Sequence, residues 1–562
     1  MHQSRYSKLI LALLLVLFTF ATVGGGIVCI AQDSDGDLVP DDQDEYPGRN
    51  DLKYGGTLTL GTAATMRTFN THFNRRGNDP LLLTHEAPFI EGHDTKAGWI
   101  EDYEVSDDGK VWTVYLEEGV KFHDGEPLDA EAFAWNLRQR ISNEDIFSTP
   151  LRYVEKPEDV VVVDENTVKI VQSQPNPNLR PSFSDPCWLG AFETPNYDER
   201  YGDDYGTKVA HSNGPFKLTE WVKGDHMVFE RFEEYSWAPD FAENPGPPYL
   251  KEVKMRVVPE MSTRLNMLKT GELDGVVDAR PQNAKQFKDS EKFDIIQVPS
   301  TRILDIEYNT EEAPLDELEV RKALNYAVNR PALAKILYYG FARPAYSLFS
   351  STSLELEDTK HLYKFDREKA SSLLKEAGWK DEDNDGIREK NGKDLKFNLI
   401  AKPGIYTNLA TAVQGMWREV GVRANVRTHD EATALNLIKQ REHDAVVWDH
   451  AWPYYDLYYW WFNPDYERYP NMAQFDTPKV RELIKDAKSA KTFQEFKEKS
   501  NTLVNYVYEN ASINALLRPT GLIIMNEKKF SGYRKDGHYA IPLLHDAYSK
   551  EVYQDNKEKY SD

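Results

Sequence analysis

Among its 562 residues the chain has only two cysteines, Cys29 and Cys187. Cys29 lies in an amino-terminal leader, so removal of that leader leaves Cys187 as a free buried thiol and excludes an internal disulfide. Several catalytic signatures are missing too. No GxSxG elbow, HExxH helix or paired CxxC occurs, and no GxxxxGK[ST] loop, so if ATP drives this protein's work another subunit hydrolyses it. Positive charge is scarce: 68 Lys and Arg face 92 Asp and Glu, a formal net charge of -24. A nucleic-acid partner needs a basic field, so this balance argues against one. After residue 31 no apolar run is long enough to span a bilayer. What the chain has in quantity is aromatic residues, 12 Trp, 31 Tyr and 25 Phe. They supply core for several domains and a surplus to line a cleft.

The first residues point to an extracytoplasmic location. Arg5 and Lys8 precede the apolar run 9–23, which is the layout of a secretory signal. Residues 1–31 read as a signal peptide cut after Ala31, or as a retained membrane anchor, with lipid attachment at Cys29 a third reading. An acidic stretch, DSDGDLVPDDQDEYP, follows within residues 32–53. Asp33, Asp35, Asp37, Asp41 and Asp44 take positions 1, 3, 5, 9 and 12 of a calcium loop, with the Val39 carbonyl at position 7. The pattern resembles thrombospondin type 3 repeats, except that Leu38 stands where glycine is usual. A solvated acidic linker is the alternative. A second acidic loop, DEDNDGIREKNG at 381–392, offers Asp381, Asp383, Asp385, Ile387 and Glu389, with Gly386 at position 6 and no carboxylate at position 12. Calcium in either loop would be structural, and no catalytic cofactor is expected.

Between and after these loops, strands alternate with helices. GGTLTLGT (55–62) alternates as a strand should, 111–137 gives strand, turn and helix, and 159–172 and 213–235 read as hairpins. This order predicts α/β layers with mixed sheets. In 309–344, Val320, Ala323, Leu324, Ala327 and Val328 form one apolar helical face. Asn329 then caps a second helix that begins Arg330-Pro331, buries Leu333, Ile336 and Leu337, and stops at Gly340.

The words of that stretch, PLDELEVRKALNYAVNR with a later glycine and ARP, closely resemble extracellular solute-binding proteins of family 5. KFHDGEPLDAEAFAW, NGPFKL and KTGELDGV extend the resemblance in order from about Gly55 to Tyr533. The resemblance implies a type II periplasmic-binding fold, two lobes joined by two crossing strands, with an extra domain on lobe I. Lobe I would take 54–85, 205–303 and 515–562, the extra domain 86–204, and lobe II 304–514. Hinges would lie near Ser300 to Leu304 and Arg518 to Gly521. It further implies a monomeric receptor that carries a small solute, a peptide, to ABC permease and ATPase subunits, and that is not an enzyme.

The segment VVWDHAWPYYDLYYWWF (446–462) supplies the cleft candidates, Trp448, Trp452, Tyr455 and Asp456. Peptide-binding relatives place an aspartate three residues after a tryptophan here, to meet a ligand ammonium. In this chain that place holds Tyr455, and Asp456 comes one residue later. Arg302, beside a hinge, is the candidate for a ligand carboxylate. Two other classes fit parts of the sequence. A surface adhesion or sensory protein would explain the calcium-repeat stalk, and a glycoside hydrolase would use two carboxylates among aromatics.

Overall fold

The computed structural model describes residues 51–560, except 64–65, 74–79, 90–97, 144–148, 185–188, 240–241, 299, 301, 347, 349–361, 452–460, 464–470 and 534–543. Cys187 and the whole acidic segment 33–44 therefore lie outside the described residues. Along the chain, β1 (Thr57–Thr62) is followed by four strands of a separate sheet: β2 (Ile100–Val105), β3 (Val111–Leu116), β4 (Val160–Asp164) and β5 (Thr167–Val171). Then come β6 (Phe216–Val222), β7 (His226–Arg231), β8 (Glu252–Val257), β9 (Gly275–Val276) and β10 (Phe293–Val298). These join β1 in a seven-stranded sheet of order β10-β19-β9-β1-β8-β7-β6, where β19 is Gly521–Asn526. The four-stranded sheet, order β2-β3-β5-β4, is thus an insertion between two strands of the larger one.

A second large sheet follows. It contains β11 (Arg302–Tyr308), β12 (Ala342–Pro344), β15 (Lys396–Ala401), β16 (Arg423–Thr428), β17 (Ala445–Ala451) and β18 (Ile513–Pro519), in the order β12-β18-β11-β17-β15-β16. The small hairpin of β13 (Glu389–Lys390) and β14 (Lys393–Asp394) stands apart. β10 and β19 pair antiparallel in the first sheet, and their continuations β11 and β18 pair antiparallel in the second. Two adjacent strand pairs, β10 with β11 and β18 with β19, thus link one sheet to the other. This is the two-lobe, two-strand-hinge architecture that the family resemblance implies, with the mixed sheets that the alternation of strands and helices predicts.

Both faces of each large sheet are covered, so strands such as β18 read as nearly continuous apolar runs. In the second sheet, Leu304, Ile306 and Tyr308 of β11 pack under the helices Leu318–Tyr326, Arg330–Tyr338 and Ile405–Arg418. Ile303 faces the opposite layer with the helices Pro478–Lys488 and Phe493–Glu509. The apolar stripe Val320, Ala323, Leu324, Ala327 and Val328 is fully buried, and the Trp417 indole N–H closes it by donating to the Leu324 carbonyl at 3.0 Å.

Local signals set the helix ends. The Asn329 side chain accepts from the Ala332 N–H, and Tyr339 and Gly340 turn the chain through left-handed conformations after Tyr338. One expectation fails here: Ile336 is 63% exposed. The buried stripe of that helix runs through Leu333, Ala334 and Tyr338, with Leu337 partly covered, which turns Ile336 to the outside.

Candidate functional site

In the second sheet β15, β16 and β17 run parallel, while β11 lies antiparallel to β17. The carboxyl ends of the parallel strands and the first residue of β11 therefore share one edge. At this edge the two hinge strands cross, and in α/β sheets ligands favour the carboxyl edge. Four polar side chains meet there. Arg302 opens β11, Lys402 directly follows β15, Asp449 is near the end of β17, and Tyr406 lies in the first turn of the helix Ile405–Arg418.

Asp449 is the centre of this cluster. Its Oδ2 accepts from Arg302 Nε at 3.0 Å, and its Oδ1 accepts from Lys402 Nζ at 3.0 Å and from the Tyr406 hydroxyl at 2.5 Å. Burial alone would raise the Asp449 carboxyl, but Arg302, Tyr406 and Lys402 together outweigh it and hold the group below its ordinary range. The same contacts lift Arg302 and Lys402 above their usual values although burial opposes this. All three stay charged at neutral pH. The Lys402 ammonium also lies over the Tyr406 ring at 4.3 Å and the Trp448 ring at 4.0 Å.

Two cations thus share one partly buried carboxylate. The only other carboxylate bonded to them among the described residues is Glu431, 3.4 Å from Lys402 and 63% exposed. Two cations here face Asp449 and the largely exposed Glu431, and the Arg302 side chain is still 37% exposed. Such an arrangement can receive an anionic or strongly hydrogen-bonding group of a solute without rebuilding the site.

Of the residues chosen from sequence, Arg302 is in this cluster. Trp448 stands beside it but packs inward with Ile400, Ala434, Ile438, Val446 and Met472, and is 6% exposed. Trp452, Tyr455 and Asp456 lie outside the described residues. Sequence reasoning missed Asp449, Lys402 and Tyr406. The available signal was position: AVVWDH places Asp449 at the end of an apolar strand, and Lys402 ends LKFNLIAK.

The loop after the helix Arg367–Glu376 does gather carboxylates. Donor atoms of Asp381, Asp383, Asp385 and Glu389 lie within 4.8 Å of one another. Gly386 takes φ 83° at the bend, and the Ile387 N–H donates to Asp385 Oδ1 at 2.7 Å. Arg423 already pairs with Asp385 at 3.0 Å, so part of the loop's charge is met by the protein.

Comparison with known proteins gives the fold and the family. The glutathione-binding protein GsiB of Salmonella paratyphi A is 34% identical over 281 residues, covering 50% of this chain and 52% of that protein. The dipeptide-binding protein of Escherichia coli K12 is 27% identical over 372 residues, 62% of this chain and 66% of that one. The chain spans about half the length of the first of these relatives. HbpA2 from Haemophilus parasuis has the same fold, with a TM-score of 0.73 at 20% identity over 88% of this chain and all of that one. The profile described as "Bacterial extracellular solute-binding proteins, family 5 Middle" matches residues 94–465. With that match covering more than half of its length, the chain belongs to the extracellular solute-binding proteins of family 5.

Proposed function

We propose that this protein is the extracytoplasmic receptor of an ABC transporter, which captures a peptide or peptide-like solute between its lobes and delivers it to a membrane permease. The observation that carries the reading is the Arg302–Asp449–Lys402–Tyr406 cluster at the edge where the hinge strands cross. A solute held there touches lobe II at a place that the other lobe covers on closing. Contacts to both lobes favour the closed state, and only that difference in affinity can shift the equilibrium. The names of two relatives, a glutathione-binding and a dipeptide-binding protein, support a peptide-like ligand. In this reading a ligand carboxylate sits on Arg302 and Lys402, while Asp449 keeps both cations in place.

The receptor works as a monomer and changes no bond in its cargo. Residues 1–31 take it out of the cytoplasm as a signal or anchor. Calcium braces the loop from Asp381 to Glu389 and the amino-terminal segment 33–44, as their carboxylate spacing suggests.

Titration of tryptophan fluorescence with dipeptides and with glutathione tests the reading. Arg302→Ala should weaken binding about tenfold or more, the size of a lost charge-assisted contact. Equal affinity of the variant and the native protein would remove the cluster from the site.

A further inference from the structure

On the face of β11 opposite Leu304 and Ile306 lies a second group of ionisable side chains that solute capture does not use. Asp305 and Glu307 are fully buried there, and His450 of β17 is 10% exposed. His450 Nε2 lies 3.0 Å from Glu307 Oε1 and 3.8 Å from Asp305 Oδ2, and one donor atom from each residue falls within 4.8 Å of the others. Glu307 is held firmly. The Trp461 indole N–H donates to its Oε1 at 3.0 Å and the Ala473 N–H to its Oε2 at 3.1 Å, while the His450 ring lies against Trp461, tilted by 33° with centroids 3.6 Å apart. Asp305 is different. Among the described residues neither of its carboxyl oxygens has a hydrogen-bond partner, although its Oδ2 lies toward the same imidazole.

We propose that Asp305, Glu307 and His450 form a binding site for a divalent first-row transition cation, in the manner of Zn2+ or Mn2+. Two carboxylates and one imidazole suit such ions better than calcium, which prefers oxygen alone, or copper(I), which prefers sulfur. The spacing agrees: donors about 2.1 Å from a tetrahedral centre are separated by roughly 3.4 Å, midway between the two His450 distances. The N–H groups on Glu307 are the outer partners that fix a metal-binding carboxylate. A cation would supply what Asp305 lacks. It would also tie β11, a hinge strand, to β17 and to the Trp461 segment beneath the solute-binding edge.

The test uses the full chain, freed of any affinity tag, loaded with ZnCl2 and dialysed. Elemental analysis should find one more equivalent of zinc in the native protein than in Asp305→Asn. Asp383→Asn, in the exposed acidic loop, should keep that equivalent. Co2+ loading should give a visible absorption band that His450→Gln abolishes. Equal zinc in native protein and Asp305→Asn would overturn the proposal. If Asp305→Asn fails to fold, the native protein decides alone: no cobalt band, and a melting temperature unmoved by zinc or chelator, would equally overturn it.

Discussion

Glu193 and Asp305 are both carboxylates with no exposure to water, yet their surroundings differ as much as two buried acids can. Glu193 ties Thr71 and His85 to Tyr205 and, through its backbone, to Asn136 of the helix Ala130–Ser142. Its Oε1 accepts from the Thr71 N–H at 2.7 Å and the Thr71 hydroxyl at 2.6 Å, with His85 Nε2 at 3.4 Å, and its Oε2 accepts from Tyr205 at 2.6 Å. Burial pushes this carboxyl up, but His85, His72 and Thr71 outweigh it and hold it at about 2. Asp305 in lobe II has no donor among the described residues. Burial, then the nearby charges of Glu307 and Asp449, push it well above the ordinary range. Depth of burial does not decide the state of a buried acid; the donors placed around it do.

Substitution at Glu193 should have the largest effect. Glu193→Ala leaves Tyr205, Thr71 and His85 without their acceptor, and should cost roughly 3–5 kcal/mol in urea unfolding. A loss below 1 kcal/mol would make the two acids equivalent.

Acid should expose the same contrast. Because Glu193 is depressed in the folded state, its stabilisation is complete above about pH 4.5 and is lost as pH falls toward 2. The loss amounts to about 3 kcal/mol. Buried His72, held to about 3 by burial and by Arg140, adds a slope that begins lower than pH 6.5. Melting temperature against pH should show both, and the Glu193→Gln protein should lack the lower limb.

Gly214 offers a gentler way to disturb the Glu193 network. A Cβ there would lie 2.3 Å from the Thr84 carbonyl carbon and 2.4 Å from the His85 nitrogen. Gly214→Ala should therefore displace His85, lower stability by about 2 kcal/mol and flatten the acid slope. In metal-free protein Asp305→Asn should change stability by about 1 kcal/mol or less, since it removes no hydrogen bond. The smallest effect belongs to Ile336→Asp on the exposed helical face, expected within about 0.5 kcal/mol in the same unfolding assay.

Much of this architecture can be read along the chain. The apolar face from Val320 to Val328, the Asn329 cap and the hairpin bends at Asp164–Asn166 and Lys223–Asp225 are local signals, and each produced its element. Ile336 misled because three apolar residues close together do not say which of them faces the core. The site was less legible for a different reason. Arg302 meets Asp449 across 147 residues, and Tyr406 and Lys402 meet it across 43 and 47. Only strand order brings these side chains to one edge, and no short motif records that order. Asp305 and Glu307 were hidden in a strand buried on both faces, where alternation of apolar and polar residues has no meaning.

Native mass spectrometry of the protein as first purified tests the account most directly. The account predicts a co-purifying peptide-sized mass on the native chain, bound at one equivalent and lost from Asp449→Asn and Arg302→Ala proteins that melt normally. A native chain that carries no such mass and binds none from a mixed peptide pool, or variants that retain it fully, would contradict capture at this edge.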